Sequence, residues 1–250
     1  MKIEKVNFEC FRDNLKIRGV IYKPCGNNLK IIIVSHGFMA NMMTTKYYAR
    51  HWARMGYCAL AFDFNGGGIG SKSSGKTTDM SVFTEVEDLK AVINYAKSLP
   101  YTDENSVTLM GCSQGGFVSA ITAAQLQDKI EKLILFYPAL CIPDDARSGK
   151  MMFAKFDPDN IPQRIPCGPM TLGKRYVQDV VDLDPYQIIT RYKGPVLIVH
   201  GTSDAIVNLD YAVKAQKLYE NSKLVIIEKG THMFVGRADK KAIKAVEKFL

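Results

Sequence analysis

Six apolar runs recur along the chain, each separated from the next by amphipathic or polar sequence, and this rhythm limits the fold more than any other feature. They are Lys30–Ser35 (KIIIVS), Tyr57–Phe64 (YCALAFDF), Ser106–Gly111 (SVTLMG), Lys132–Tyr137 (KLILFY), Pro195–His200 (PVLIVH) and Lys223–Glu228 (KLVIIE). A run that is apolar throughout, rather than at alternate positions, reads as a strand covered on both faces of a parallel sheet. Between the runs lie helical patterns. Val82, Phe83, Val86, Leu89, Val92, Ile93 and Ala96 fall on one helical face, with Glu85, Glu87, Asp88 and Lys90 expected off it. Tyr48, Trp52 and Met55 repeat the pattern earlier, and Ile243, Val246, Phe249 and Leu250 repeat it at the end of the chain. Trp52 is expected to pack in the core. Alternation of this kind predicts an α/β fold with a mainly parallel central sheet flanked by helices. Ile3–Cys10 and Lys16–Tyr22 are expected to open the fold as an antiparallel pair around Asp13 and Asn14.

The rhythm breaks once. Pro138 to Pro185 holds seven of the ten prolines, and Arg147–Gly173 has no clean period. Proline fixes φ and lacks a backbone donor, so this stretch cannot continue the sheet. It predicts an insertion over residues 139–185, carried on the rim of a single 250-residue domain as a lid or a binding wall.

Composition excludes several classes. Hydrophobic residues are 47% and charged residues 23%, enough to bury a core and too apolar for a disordered chain. The formal net charge of +8 is scattered rather than gathered in a stripe, so nucleic-acid binding is not expected. No apolar run approaches the roughly 20 residues of a membrane span. The opening MKIEKVNFECFRDNLKIRGV has no long apolar core, so no signal peptide is expected and the chain is placed in the cytoplasm. The six cysteines, Cys10, Cys25, Cys58, Cys112, Cys141 and Cys167, lack metal-ligand spacing and read as free thiols.

The chemistry is carried by three segments that each follow an apolar run. Gly111-Cys112-Ser113-Gln114-Gly115 is a G-x-S-x-G between a strand and a helix-opening sequence. Asp204 follows PVLIVH in His200-Gly201-Thr202-Ser203-Asp204, and His232 follows KLVIIE in Gly230-Thr231-His232-Met233-Phe234. Residues beyond the carboxyl ends of parallel strands converge on one rim, so the three can meet. A serine hydroxyl becomes a nucleophile when an imidazole takes its proton, and a carboxylate fixes the imidazole's tautomer. Ser113, His232 and Asp204 are therefore the expected nucleophile, base and acid. His36-Gly37-Phe38 follows KIIIVS, and the backbone N–H groups of Phe38 and Gln114 are the expected oxyanion donors.

These motifs, HGF at 36–38, GCSQG at 111–115, HGTSD at 200–204 and GTHMF at 230–234, resemble those of the α/β-hydrolase superfamily over essentially the whole chain. Within it the chain resembles the bacterial cinnamoyl (feruloyl) esterases, chiefly through Met170-Thr171-Leu172-Gly173-Lys174-Arg175-Tyr176-Val177 in the insertion. The resemblance implies a small subdomain over the active site whose Asp and Tyr bind a phenolic hydroxyl. The matching positions are Asp144, with Asp145 adjoining it, and Tyr176. The loop Asn65-Gly66-Gly67-Gly68-Ile69-Gly70 departs from that family's N-G-H-G-x-S by an extra residue and a missing histidine.

The expected activity is hydrolysis of a small-molecule ester, with hydroxycinnamate esters implied by the resemblance, and with no cofactor or metal. A short-chain acyl esterase, an acyltransferase or small peptidase on the same trio, and a noncatalytic receptor remain alternatives, and a homodimer is left open. Gly70–Thr77 also spells G-x-x-x-x-G-K-T, but it does not run from a strand directly into a helix as a phosphate-binding loop does. His36 is expected to shape the oxyanion loop, His200 to be structural and His51 to be exposed.

Overall fold

The computed structural model describes residues 2–250. Its chain forms an eight-stranded sheet from β1 (Ile3–Arg12), β2 (Leu15–Pro24), β3 (Leu29–Ser35), β4 (Cys58–Asp63), β5 (Thr102–Cys112), β6 (Lys132–Phe136), β11 (Val196–Gly201) and β12 (Ser222–Ile227), in the order β1-β2-β4-β3-β5-β6-β11-β12. β2 runs antiparallel to both its neighbours, β1 and β4, and along the sheet from β4 to β12 each adjacent pair is parallel. Asp13, with φ 51°, takes the left-handed turn that joins β1 to β2.

The strands are apolar throughout because alternate side chains enter different cores. Ile31 and Ile33 of β3 face one core while Ile32 and Val34 face the other, and Leu133 and Leu135 of β6 are divided in the same way from Ile134 and Phe136. The first core is closed by α2 (Val82–Lys97), α3 (Gln114–Leu126) and α7 (Leu209–Leu218), and the second by α1 (Lys46–Arg54) and α8 (Arg237–Glu247). Trp52 is fully buried in the second core and its indole N–H points at Met110 Sδ, 3.2 Å away. Among the described residues, no helix is long and apolar enough to cross a membrane.

The path from β3 to β4 leaves on one side of β3 and returns to β5 on its other side. Where the winding reverses, loops at the carboxyl ends of adjacent strands part and leave a crevice. Between β6 and β11 the chain builds only short elements: α4 (Ile142–Arg147), the ribbon of β7 (Lys150–Met151) with β8 (Ala154–Lys155), the ribbon of β9 (Arg164–Pro166) with β10 (Thr171–Gly173), α5 (Lys174–Gln178) and α6 (Pro185–Ile189). Leu140, Ile165, Leu172 and Val177 from this segment are buried in the first core, so it is packed onto the sheet's helical layer.

One expectation from the helical pattern fails. Glu85 and Asp88 of α2, expected on the solvent side, are 1% and 0% exposed. Asp88 accepts hydrogen bonds from the Asn65 amide and side chain at 2.8 and 2.9 Å and lies 3.0 Å from Arg12. Burial pushes its carboxyl up to about 6 against those favourable partners. A helix between a sheet and a rim segment has two covered faces, and the apolar period marks only one of them.

Candidate active site

Ser113 alone makes the turn from β5 into α3, with φ 55° and ψ −121°. That backbone conformation costs a residue with a side chain about 1–3 kcal/mol, so the surroundings must hold it. The Ser113 amide donates to Phe136 O at 2.9 Å, and the Gly116 amide donates back to Ser113 O at 2.9 Å. Glycine flanks the turn because nothing larger fits. A Cβ on Gly111 would lie 2.1 Å from Gly115 O, and one on Gly115 would lie 2.2 Å from His36 O.

The loops after β11 and β12 bring Asp204 and His232 to this serine. His232 Nδ1 lies 2.8 Å from Asp204 Oδ2, and His232 Nε2 lies 3.0 Å from Ser113 Oγ. With Nδ1–H donating to the carboxylate, Nε2 carries the lone pair that faces the serine hydroxyl. Asp204 Oδ1 accepts from the Ile206 and Val207 amides, each at 2.9 Å. Its Oδ2 is also 3.3 Å from His200 Nε2, which donates to Val207 O at 2.9 Å. Burial alone would raise the Asp204 carboxyl. The hydrogen bonds from His200, His232 and the Val207 amide outweigh it and hold the group well below the usual carboxylate range. Asp204 is thus a fixed anion beneath an imidazole that packs at a tilt against Tyr137, with ring centroids 4.5 Å apart and planes inclined by 54°.

The loop after β3 passes directly over the serine: a Cβ on Gly37 would lie 3.0 Å from Ser113 Cβ. His36 holds this loop. Its buried Nδ1–H donates to Gly37 O at 2.9 Å while Nε2 accepts from the Phe64 amide at 3.2 Å, a neutral tautomer that burial favours. Gly68 presses against the next turn, where a Cβ would lie 1.6 Å from Ala40 O. That contact is the physical reason glycine, and no larger side chain, stands at 68 in the loop after β4. The amide of Gln114 opens α3, at the end of a helix where backbone donors have no helical acceptor.

Tyr176 reaches the site from α5. Its hydroxyl donates to Gln114 Oε1, and Gln114 Nε2 donates to Glu85 Oε2 at 2.8 Å. Tyr176, Gln114 and Glu85 are all buried. Burial pushes the Glu85 carboxyl well above the usual range despite the hydrogen bond from Gln114. This chain ties the rim segment to the residue that follows the serine. Its buried acid was missed by pattern reading, and the only signal in the sequence is that Glu85 and Asp88 lie three residues apart, on one side of the helix.

Two cavities meet at Ser113. One, of about 260 Å³, lies beneath the rim segment and is lined by Gln114, Asp145, Lys150, Tyr176 and Ile206. The other, of about 500 Å³, lies on the His232 side toward α1 and the loop after β12. Phe38 borders both. Asp144 does not line the first cavity, contrary to the sequence expectation. Its carboxylate is paired with Arg147 and accepts from Tyr211 OH at 2.7 Å on the outer side of α4. Asp145, one helical step of about 100° away, is the acid that lines the cavity. Burial raises the Asp145 carboxyl.

The remaining motifs have structural partners. In the Gly70–Thr77 loop the Lys72 amide donates to Asp63 Oδ2 at 2.8 Å, the Ser74 amide to Lys16 O at 2.8 Å, and Thr77 Oγ1 to Thr171 O at 2.6 Å. These three donors are thus spent on β2, β4 and the rim segment. His51 is not simply solvated, since its Nε2 lies 2.8 Å from Glu247 Oε1 and links α1 to α8. Burial pushes the Cys112 thiol up to about 12, which leaves it inert beside Ser113.

The family model described as serine aminopeptidase, S33, matches residues 26–187, and that of the alpha/beta hydrolase fold matches residues 157–236. Est1E from Butyrivibrio proteoclasticus, solved with ferulic acid bound, is 30% identical, superposes with a TM-score of 0.89 and is covered over 97% of both chains. The quorum-quenching protein AidA of Acinetobacter baumannii is 24% identical over 78% of this chain and 77% of its own. Monoglyceride lipase of Rattus norvegicus is 31% identical over 54% of this chain and 43% of its own. A catalytic-type serine, histidine and aspartate on this sheet, with a family match across most of the chain, leaves one assignment: the chain belongs to the α/β hydrolases, in the family of serine aminopeptidase, S33, and is a serine hydrolase.

Proposed function

We propose that this hydrolase cleaves carboxylic esters through an acyl-enzyme on Ser113, and that its acyl group is a hydroxycinnamate. The observation that carries the reaction is the unbroken hydrogen-bonded line from Asp204 through His232 to Ser113, with the serine held in its strained turn. Ser113 Oγ attacks the ester carbonyl as His232 Nε2 takes its proton. The carbonyl oxygen becomes an oxyanion between the Phe38 and Gln114 amides, where each such donor contributes about 2.7–4 kcal/mol to lowering the barrier. Asp204 stabilises the imidazolium, which then delivers its proton to the departing alcohol. Water, activated by the same imidazole, attacks the acyl-enzyme and releases the acid.

The acyl assignment is supported by the likeness to Est1E, which binds ferulic acid, and by the polar groups of the smaller cavity. Asp145 accepts the phenolic hydroxyl there. Tyr176, whose own proton is committed to Gln114, offers its oxygen as a further acceptor. The reading is tested by hydrolysis of methyl ferulate beside p-nitrophenyl acetate and butyrate, with Ser113→Ala as the blank. Turnover of the ferulate that Ser113→Ala abolishes is expected. Turnover of only the short acyl esters would overturn the hydroxycinnamate assignment and leave the esterase. Silence on all three would overturn both.

A further inference from the structure

The acyl group proposed for the smaller cavity leaves the larger one at Ser113 without an occupant. Its place follows from the direction of proton transfer: the leaving oxygen receives its proton from His232 Nε2, so the alcohol must lie on the histidine's side of the scissile bond. His232 lines the 500 Å³ cavity and does not line the 260 Å³ one. The smaller cavity therefore takes the acid and the larger one the alcohol.

The chemistry of that alcohol is written in the lining. The cavity is bounded by Met39, Met43, Tyr47, Met233, Phe234 and Val235, and no Asp, Glu, Lys or Arg touches it. Four of its hydroxyl groups already donate within the protein. Tyr47 OH and Tyr48 OH both donate to Asp239 Oδ1, at 2.9 and 2.7 Å, and the Thr44 and Thr45 hydroxyls donate to Asn41 O and Met42 O. A sugar or glycerol placed there would surrender its hydration for walls that offer few partners. The rim is apolar as well: Met43, Met233 and Val235 are 57%, 58% and 71% exposed. Large apolar side chains left in solvent around one cavity mark a surface that something apolar covers.

We propose that this cavity is an alcohol-binding site and that the physiological substrates are esters of apolar alcohols, alkyl or arylalkyl, rather than of sugars or polyols. The proposal rests on the esterase reading of Ser113 and His232 and is independent of which acid is bound. Binding the alcohol on the histidine side holds the leaving oxygen against Nε2, so each buried methylene adds to kcat/KM rather than to product affinity alone.

The experiment is a series of kcat/KM values for methyl, propyl, butyl and glyceryl esters of ferulic acid, repeated with the acetates. The expected gain is about threefold per methylene, slightly below the full transfer value because the mouth is open, and so about 30-fold from methyl to butyl. Propyl esters should exceed glyceryl esters at least tenfold, although glycerol is the better leaving group. Met43→Asp and Val235→Asp, on separate loops, should each pull the propyl-to-glyceryl ratio toward one. A butyl value within twofold of methyl, or glyceryl esters turned over as well as propyl, would overturn the proposal. Ferulates that fail while acetates follow the alcohol order would overturn the hydroxycinnamate reading and leave this one. Ferulates turned over without regard to the alcohol would do the reverse, and silence in both series would overturn both.

Discussion

Ser113, Asp204 and His232 each stand a few residues beyond a strand of the central sheet, whereas Asp145 and Tyr176 reach the same crevice from a segment whose longest regular element has six residues. In the first region the position of a side chain is inherited. Once β5, β11 and β12 are paired in parallel register, their carboxyl ends are fixed relative to one another, and short loops carry the trio only a small distance further. In the second region nothing repeats. Each side chain points where local packing sends it, and one residue's difference on α4 separates an acid in the cavity from an acid paired with Arg147 outside it. Side chains placed on strand ends are held rigidly by the sheet, while side chains on short packed elements can be changed residue by residue.

The sharpest break of this comparison is Asp204→Asn, which should lower kcat about 10⁴-fold by presenting His232 in the wrong tautomer, with the circular-dichroism spectrum retained. A loss of less than tenfold would remove Asp204 from the line. Next in size is the acid limb of the pH profile. Attack uses the lone pair on His232 Nε2, so a proton on that nitrogen blocks it and kcat/KM should fall on acidification. A rate that does not fall on acidification would contradict the assignment of the base.

A smaller effect sharpens the contrast within the rim segment. Asp145→Asn should lower the kcat/KM ratio of methyl ferulate to methyl cinnamate, which lacks the phenolic hydroxyl, by about tenfold. Asp144→Asn should leave the ratio within about twofold, because Asp144 faces Arg147 and Tyr211. Equal effects of the two substitutions would erase the distinction drawn between them.

The smallest effect concerns the buried link between the two regions. Glu85 has its folded-state pKa raised by burial, so the stability it contributes is present below its unfolded value of about 4.3 and is lost as pH rises through the folded one. Gln does not titrate and keeps an oxygen for the Gln114 amide. Glu85→Gln should match the wild type in urea unfolding at pH 4 and exceed it at pH 8. A wild type more stable at pH 8 would show that the charged form is the one the fold accommodates.

Much of the molecule was legible from the residues alone. Continuous apolar runs gave the buried parallel strands because a strand with two covered faces has no polar period to show. The trio was legible because its motifs sit at the ends of those runs, and the glycines at 111 and 115 stand where the backbone of α3 and of the loop after β3 comes within 2.2 Å of any added Cβ. The rim segment was visible only as an interruption, since prolines exclude a sheet without saying what replaces it.

What the sequence determined by itself is the sheet, its order of alternation and the tight turn at Ser113, all of which follow from local periodicity and local sterics. What only the tertiary structure decided is which acid of the pair at 144 and 145 lines the cavity, that Glu85 is buried beneath Gln114 and Tyr176, and that a second, apolar cavity opens beside His232. Each of these depends on contacts between residues tens of positions apart, whose energies are set by packing and desolvation at the meeting point and leave no period in the chain that carries them.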